Sequence, residues 1–185
     1  MFGLKNGQGT DNKKIAAGTA EAFARLYEEH FPKVYRYISY QIDDTAVVED
    51  LTSAVFEKAL TKFQSYNSEK AAFSTWVLSI ARNTVMDYYR LNRKELNMQI
   101  ENIRSSVPET PSPDEAMVKA EEIQLVRSYL ARMSPQEQAI ISFKFGGEMT
   151  NRQIAKTLGL SESNVAVIIY RAVRKLRDRY HGVTP

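Results

Sequence analysis

Two stretches of the chain carry side chains whose type and spacing could do chemistry, and in both the chemistry is non-covalent. From Asn151 to Arg179 a short helical pattern meets Gly159 and gives way to a longer one beginning at Glu162. Ala155 is the small residue that two steeply crossing helices need where they touch, and Gly159 tolerates the positive φ of a tight turn. Ile154, Leu158, Leu160, Val165 and Ile168 stand at the offsets that would plug the wedge between the helices. Such a helix-turn-helix lays its second helix in the DNA major groove with N-terminal residues toward base edges. Ser161, Ser163 and Asn164 are then the entering polar groups. Arg171, Arg174, Lys175, Arg177 and Arg179, opposed by Asp178, would neutralise phosphates. A plain helical hairpin with a solvated basic face has the same outline; the run of cations favours DNA.

The second stretch is residues 63–90, where Phe63, Tyr66, Phe73, Trp76, Tyr88 and Tyr89 are interleaved with Lys62, Lys70, Arg82, Asn83, Arg90, Arg93 and Lys94. Aromatic faces beside cations suit unstacked bases, at ~1–3 kcal/mol for each base stacked. A base drawn out of a duplex also needs a pocket that reads its edge. Helix period assigns Phe73, Trp76, Val77 and Ile80 to a core instead. Tyr66, Asn67, Ser68 and Lys70, in a polar loop, are the group expected to meet a partner. Acid gathers elsewhere, at Asp43, Asp44, Glu49, Asp50 and Glu57. With Val48, Leu51 and Val55 beside it, that acidic face suits a protein rather than phosphate. A solvated face with Asp43 and Asp44 matched to a helix dipole is the plainer alternative.

What is missing narrows the chemistry. There is no cysteine, hence no thiolate nucleophile, disulfide or cysteine-based metal site. His30 and His181 are too far apart in sequence to form a multi-histidine site by themselves, and no acidic cluster has metal-binding spacing, so no metal or cofactor is expected. The 25 Lys+Arg and 22 Asp+Glu leave a formal charge of +3, too small to name a partner; position matters more than the total. No apolar run approaches the ~20 residues of a membrane span. Met1 to Asn6 lack the apolar core of a secretory signal, so a soluble, cytoplasmic protein is expected.

The elements that must position these groups all read as helices. Residues 1–18 read as a mobile tail. From Thr19, Phe23, Leu26, Tyr27, His30, Phe31, Val34, Tyr35 and Ile38 recur at spacings of three and four, and Pro32 should kink or restart that helix. Asp43-Asp44 caps a second helix with apolar Val47, Val48, Leu51, Val55, Phe56, Ala59 and Leu60. A third runs from about Ala71 to Tyr89. Three prolines in six positions, Pro108, Pro111 and Pro113, fit neither helix nor sheet and mark a linker over 97–113. Beyond it, Ser112-Pro113-Asp114-Glu115, Ser134-Pro135-Gln136-Glu137 and Thr150-Asn151-Arg152-Gln153 repeat the capping box of a helix start. Ala116, Ile123, Val126, Leu130 and Met133 follow the first box. Ala139, Ile140, Phe143 and Phe145 follow the second, closed by Gly146-Gly147. The chain therefore reads as all-α: two small helical domains, 19–96 and 114–185, joined by a flexible linker, the C-terminal one containing the helix-turn-helix.

These residues together resemble the sigma-70 family of RNA polymerase sigma factors, in the two-domain extracytoplasmic-function (ECF) group. The likeness rests on Glu49-Asp50-Leu51 with Val55-Phe56, and on Phe73-Ser74-Thr75-Trp76 followed by Ile80-Ala81-Arg82-Asn83 and Asp87-Tyr88. In the second half it rests on Leu130 with Ser134-Pro135-Gln136-Glu137, then Ile154-Ala155, Leu158-Gly159, Val165, Tyr170-Arg171-Ala172 and Lys175-Leu176-Arg177. The resemblance implies a non-enzymatic subunit that binds core RNA polymerase and directs it to promoters. It implies that Glu49, Asp50, Leu51, Val55 and Phe56 engage the clamp of the largest subunit. Tyr66, Asn67, Ser68, Lys70, Arg82, Asn83 and Arg90 would take the −10 element as it opens. Ser161, Ser163, Asn164, Ala166, Val167, Tyr170, Arg171, Arg174 and Lys175 would read the −35 element, and the second domain would dock on the flap of the second-largest subunit. An anti-sigma factor is a further partner the resemblance admits. Thr52 stands where the family often has glutamine, and Ala166-Val167 where it often has a lysine–serine pair. A helix-turn-helix regulator with an N-terminal sensor or dimerisation module is the alternative reading, with a nucleic-acid enzyme a distant third.

Overall fold

The computed structural model describes residues 8–92, 129–130 and 132–181, with side chains over 20–92, 129–130 and 132–178. Among these residues every regular element is helical. Three long helices come first: α1 (Gln8–Ser39), α2 (Thr45–Lys62) and α3 (Phe73–Leu91). Three more follow residues 129–130: α4 (Pro135–Ile141), α5 (Asn151–Leu158) and α6 (Glu162–His181). The linker at 97–113, the Ser112 capping box, Ala116, Ile123, Val126, Arg93 and Lys94 lie outside the described residues, as does the Arg179 side chain.

In the first half α1, α2 and α3 pack on one another around Val34, Ile38, Val48, Val55, Ala59, Val77, Ala81 and Val85, all buried. Each of these valines and isoleucines contributes about 1.5–3 kcal/mol on leaving water. Asp44 starts α2 as expected: its carboxylate accepts from the amides of Ala46 (2.9 Å) and Val47 (3.3 Å). The end of α3 is tied down by the Tyr89 hydroxyl, which donates to the Gln41 carbonyl, and burial pushes that phenol up to about 12.

The structure refines several expectations here. Helix α1 begins at Gln8, inside the segment read as a tail. Ala16, Ala17 and Ala20 are good helix formers, and extending an existing helix costs far less than starting one. The same helix runs through Pro32 without restarting. Proline there removes one bond, to the Glu28 carbonyl, on a helix that Val34, Tyr37 and Ile38 hold in the core. Leu60, read as an apolar core position, is exposed near the end of α2, as is Phe145 beyond α4. Trp76, read as core, is half-buried.

The second half keeps its capping boxes. Ser134 accepts from the Glu137 amide (3.3 Å), and the Glu137 carboxylate accepts from the Ser134 amide (3.0 Å) and hydroxyl (2.8 Å). Those two donors hold the Glu137 carboxyl below the ordinary range. Thr150 and Gln153 repeat the arrangement at α5. Past Ile141 the chain continues as one π-helical turn over Ser142–Gly146, so Gly146 belongs to the helix and Gly147 caps it.

The two halves do not stand apart. The 142–146 turn lies against α1, where the Phe143 ring stacks on Tyr37 at 4.6 Å between centroids, and both are fully buried. A Cβ on Gly146 would come within 2.8 Å of the Tyr37 backbone, and one on Gly147 within 2.8 Å of a Leu78 methyl. Sequence reasoning took this glycine pair as a helix end; the close approach between domains is what requires them. Beside them Glu148 has φ 56, a left-handed conformation that costs a non-glycine residue roughly 1–2 kcal/mol.

Candidate nucleic-acid interface

The helix-turn-helix is built as its spacing required. Gly159 has φ 68 and ends α5, with nothing within 4 Å of where a Cβ would sit. The chain reverses there, and the Leu160 amide bonds to the Ala155 carbonyl at 2.9 Å. Ile154, Ala155 and Val165 are buried in the wedge, and Leu158, Leu160 and Ile168 pack partly buried around them. Ser161 caps α6, its hydroxyl accepting from the Asn164 amide at 3.2 Å. The opposite face of α6 is open. Ser163, Asn164, Ala166, Val167, Tyr170, Arg171, Arg174 and Lys175 are all exposed, with Tyr170 at 65%. Arg174 has Asp178 3.9 Å away, an exposed pair of little energetic weight. The arrangement offers a polar end for base edges and a cationic shaft for phosphates.

The aromatic region divides differently from its sequence reading. Phe63, Tyr66, Phe73 and Trp76 form one cluster, with Tyr66 5.1 Å from Trp76 and 5.5 Å from Phe73 between ring centroids. Tyr66 is thus half-buried, its hydroxyl donating to the Ala71 carbonyl at 3.1 Å. It props the loop rather than projecting from it. Asn67 turns the chain by accepting from the Glu69 amide at 2.8 Å, which leaves Ser68 and Lys70 exposed at the tip. On α3, Asn83 and Arg90 are exposed and Arg82 half-buried; Arg90 pairs with Asp87 at 3.2 Å. Trp76, one turn into α3, packs partly buried against the core, its ring on Tyr66 and Phe73.

The acidic set also splits. Glu49 and Asp50 are exposed on α2 and Leu51 is half-buried, which leaves a face a protein could meet. Val55 and Phe56 are buried, so their expected role as polymerase contacts is corrected. Phe56 packs on Tyr27 (4.6 Å) and Phe31 (6.1 Å), which fixes α2 on α1. Thr52 points inward as well: it is fully buried and its hydroxyl bonds to the Val48 carbonyl at 2.7 Å. Among the described residues no group of three or more histidine, cysteine or acidic side chains could hold a metal ion, and no helix is long and apolar enough to cross a membrane.

Comparison with known proteins matches both halves. The model described as Sigma-70 region 2 covers residues 26–95, and that described as Sigma-70, region 4 covers residues 123–176. The ECF RNA polymerase sigma factor BldN of Streptomyces coelicolor is 30% identical over 164 residues, 89% of this chain; the chain spans 62% of BldN's length. The ECF RNA polymerase sigma factor SigX of Bacillus subtilis is 26% identical over 161 residues, covering 85% of this chain and 82% of SigX. Among solved structures, sigma factor RpoE in complex with the anti-sigma factor NepR from Bartonella quintana superposes with a TM-score of 0.65. That match is 16% identical and covers 89% of this chain and 99% of that one, a likeness of fold.

Proposed function

The chain belongs to the sigma-70 family, in its ECF group, and from that premise we propose that it binds core RNA polymerase and directs promoter-specific initiation. The observation that carries this reading is the pairing, on one chain and in order, of region 2 and region 4, the latter with an exposed polar-to-cationic face on α6. Glu49 and Asp50 on α2 contact the clamp, with Leu51 beside them. The Asn67–Lys70 tip, the Tyr66–Trp76 edge and Arg82, Asn83 and Arg90 receive the opened −10 strand. Strand opening draws on binding: unstacking a base costs a few kcal/mol, offset by stacking and phosphate contacts on the captured strand. The N-terminal turn of α6 reads the −35 element, and Arg171, Arg174 and Lys175 hold its phosphates.

An apolar cleft of about 330 Å³ lined by Leu130, Met133, Ile141, Phe145 and Leu176 supports docking of the second domain on the polymerase flap. The chain works in the cytoplasm and has no catalytic activity of its own. An anti-sigma factor, of the kind seated on RpoE in the Bartonella quintana complex, fits as a regulator.

Reconstitution with core polymerase, followed by run-off transcription from a genomic fragment library, tests the whole reading. Asp50→Arg should weaken polymerase binding at least tenfold while leaving binding of α6 to duplex DNA unchanged. Absence of any promoter-dependent transcript, or unchanged polymerase affinity in the variant, would count against it.

A further inference from the structure

We propose that Val167 of α6, flanked by Ala166 and Tyr170, selects thymine in the DNA element it meets, by touching the base's C5-methyl group in the major groove. The inference rests on the sigma-factor reading for where α6 is placed. It goes further in naming the base and the contact that reads it.

Helix α6 turns Val165 and Ala172 fully inward, and Ile168 and Ile169 pack partly buried beside them. At about 100° per residue, the face opposite those four carries Ser163, Val167, Tyr170 and Arg174 along its centre. The exposures agree. Val167 is 44% exposed and Tyr170 65%, the large apolar side chains left open among the described residues of α6. They lie one turn apart with the exposed Ala166 next to them, so together they form a patch.

That patch stands where a base edge would be read, and the usual readers of guanine are missing from it. From Glu162 to Tyr170 the helix has no lysine or arginine. Guanine is recognised in the major groove by arginine or lysine on its O6 and N7, and adenine by asparagine or glutamine. Asn164 lies roughly a quarter-turn from the centre line of the open face. The Ser161 hydroxyl is engaged in capping the helix. Glu162 is the charged group of the stretch; its carboxylate only accepts, which opposes the two acceptors of guanine. Thymine is the base whose major-groove edge carries a methyl group, and an apolar side chain is what recognises it.

The surroundings favour DNA over a protein as the occupant of the patch. Arg152 and Lys156 are exposed on α5, and Arg171, Arg174 and Lys175 on α6. Cations on both helices of the motif suit the phosphates that wall a groove, while the apolar patch among them suits the methyl groups within it. Residues about three positions apart on a major-groove helix meet successive base pairs. Ser163, Val167 and Tyr170 therefore fall on neighbouring pairs, with Val167 in the middle.

The test is a selection from duplexes randomised across one helical turn, run with the full-length chain alone and with the chain assembled on core polymerase. The enriched duplex is then remade with deoxyuridine for each thymidine in turn, which deletes the methyl and keeps the base pairing. One such replacement should weaken binding about three- to fivefold, the worth of burying one methyl group. Val167→Ser should bind the thymidine and deoxyuridine duplexes equally at that position. Val167→Arg should shift the enriched base there toward guanine. Replacing the T·A pair by C·G should weaken binding by the parent chain, and 5-methylcytosine in place of that cytosine should recover part of the loss. Both substitutions fall on an exposed side chain, so thermal melts of the variants should match the parent's.

An enriched element indifferent to every uracil replacement would overturn the proposal, as would a uracil penalty that persists in Val167→Ser. Enrichment of no sequence at all would overturn it too and leave the patch to a protein partner. Failure of the chain to bind core polymerase would instead count against the sigma-factor reading, while the selection on the chain alone still decides the base.

Discussion

His30 shows how one buried side chain couples the first domain to pH. Its Nδ1 lies 3.1 Å from the Leu26 carbonyl and its ring meets Phe73 edge-on at 5.1 Å. Burial pushes the imidazole below its ordinary value near 6.5, against the pull of Glu29 3.9 Å away, while Lys33 adds to the depression. The unfolded chain therefore takes up a proton at a higher pH than the folded one. Stability is complete above about pH 6.5 and declines as the pH falls from there toward the folded value. Thermal melts between pH 7 and 5 should show a steeper loss in the parent than in His30→Gln, which stays neutral. Parallel curves would remove His30 as the cause. No sequence pattern announces this role, since a histidine at helix period looks the same whether its ring is wet or dry.

At the scale of elements, what was legible was what is local. The Ser134 and Thr150 capping boxes, the Asp44 cap and the left-handed Gly159 each depend on four or five consecutive residues, and each stands where the spacing put it. The open face of α6 follows from the same local logic. If its shaft holds phosphates, replacing Arg171 and Arg174 with alanine should lower the slope of log affinity against log salt by about 1.8 for duplex DNA. A slope equal to the parent's would move those arginines off the backbone. Less legible was which member of an apolar stripe faces outward. Val55 and Phe56 fell to the core, whereas Leu60 on the same helix did not. Period gives the stripe, but its edges depend on where the next helix ends. Tyr66 and Trp76 lie on such an edge, shared between core and surface.

On the scale of the whole molecule, the division into two domains was read from three prolines, but their contact was not readable at all. It joins residues more than a hundred positions apart, such as Arg36 and Glu148. The sole trace in the sequence was Gly146-Gly147-Glu148, a pair of glycines beside an acid, which resembled an ordinary helix stop. Buried residues of both halves, from Val34 and Val77 to Phe143 and Ile154, form one continuous core cluster. The full chain should therefore unfold in a single calorimetric transition, with equal calorimetric and van't Hoff enthalpies. Gly146→Ala should split it into two. One unsplit transition in the variant would show that the approach of Gly146 to Tyr37 is not what couples the halves.

The distance along the chain between Arg36 and Glu148 also gives the contact a history during synthesis. Roughly 55 residues separate the end of α3 from Glu148, which a ribosome adds in about 3–10 s. For that interval the first three helices can fold with Tyr37 uncovered, because Phe143 and Gly146 have not been made. Every newborn copy thus has Tyr37 uncovered before Phe143 arrives to bury it.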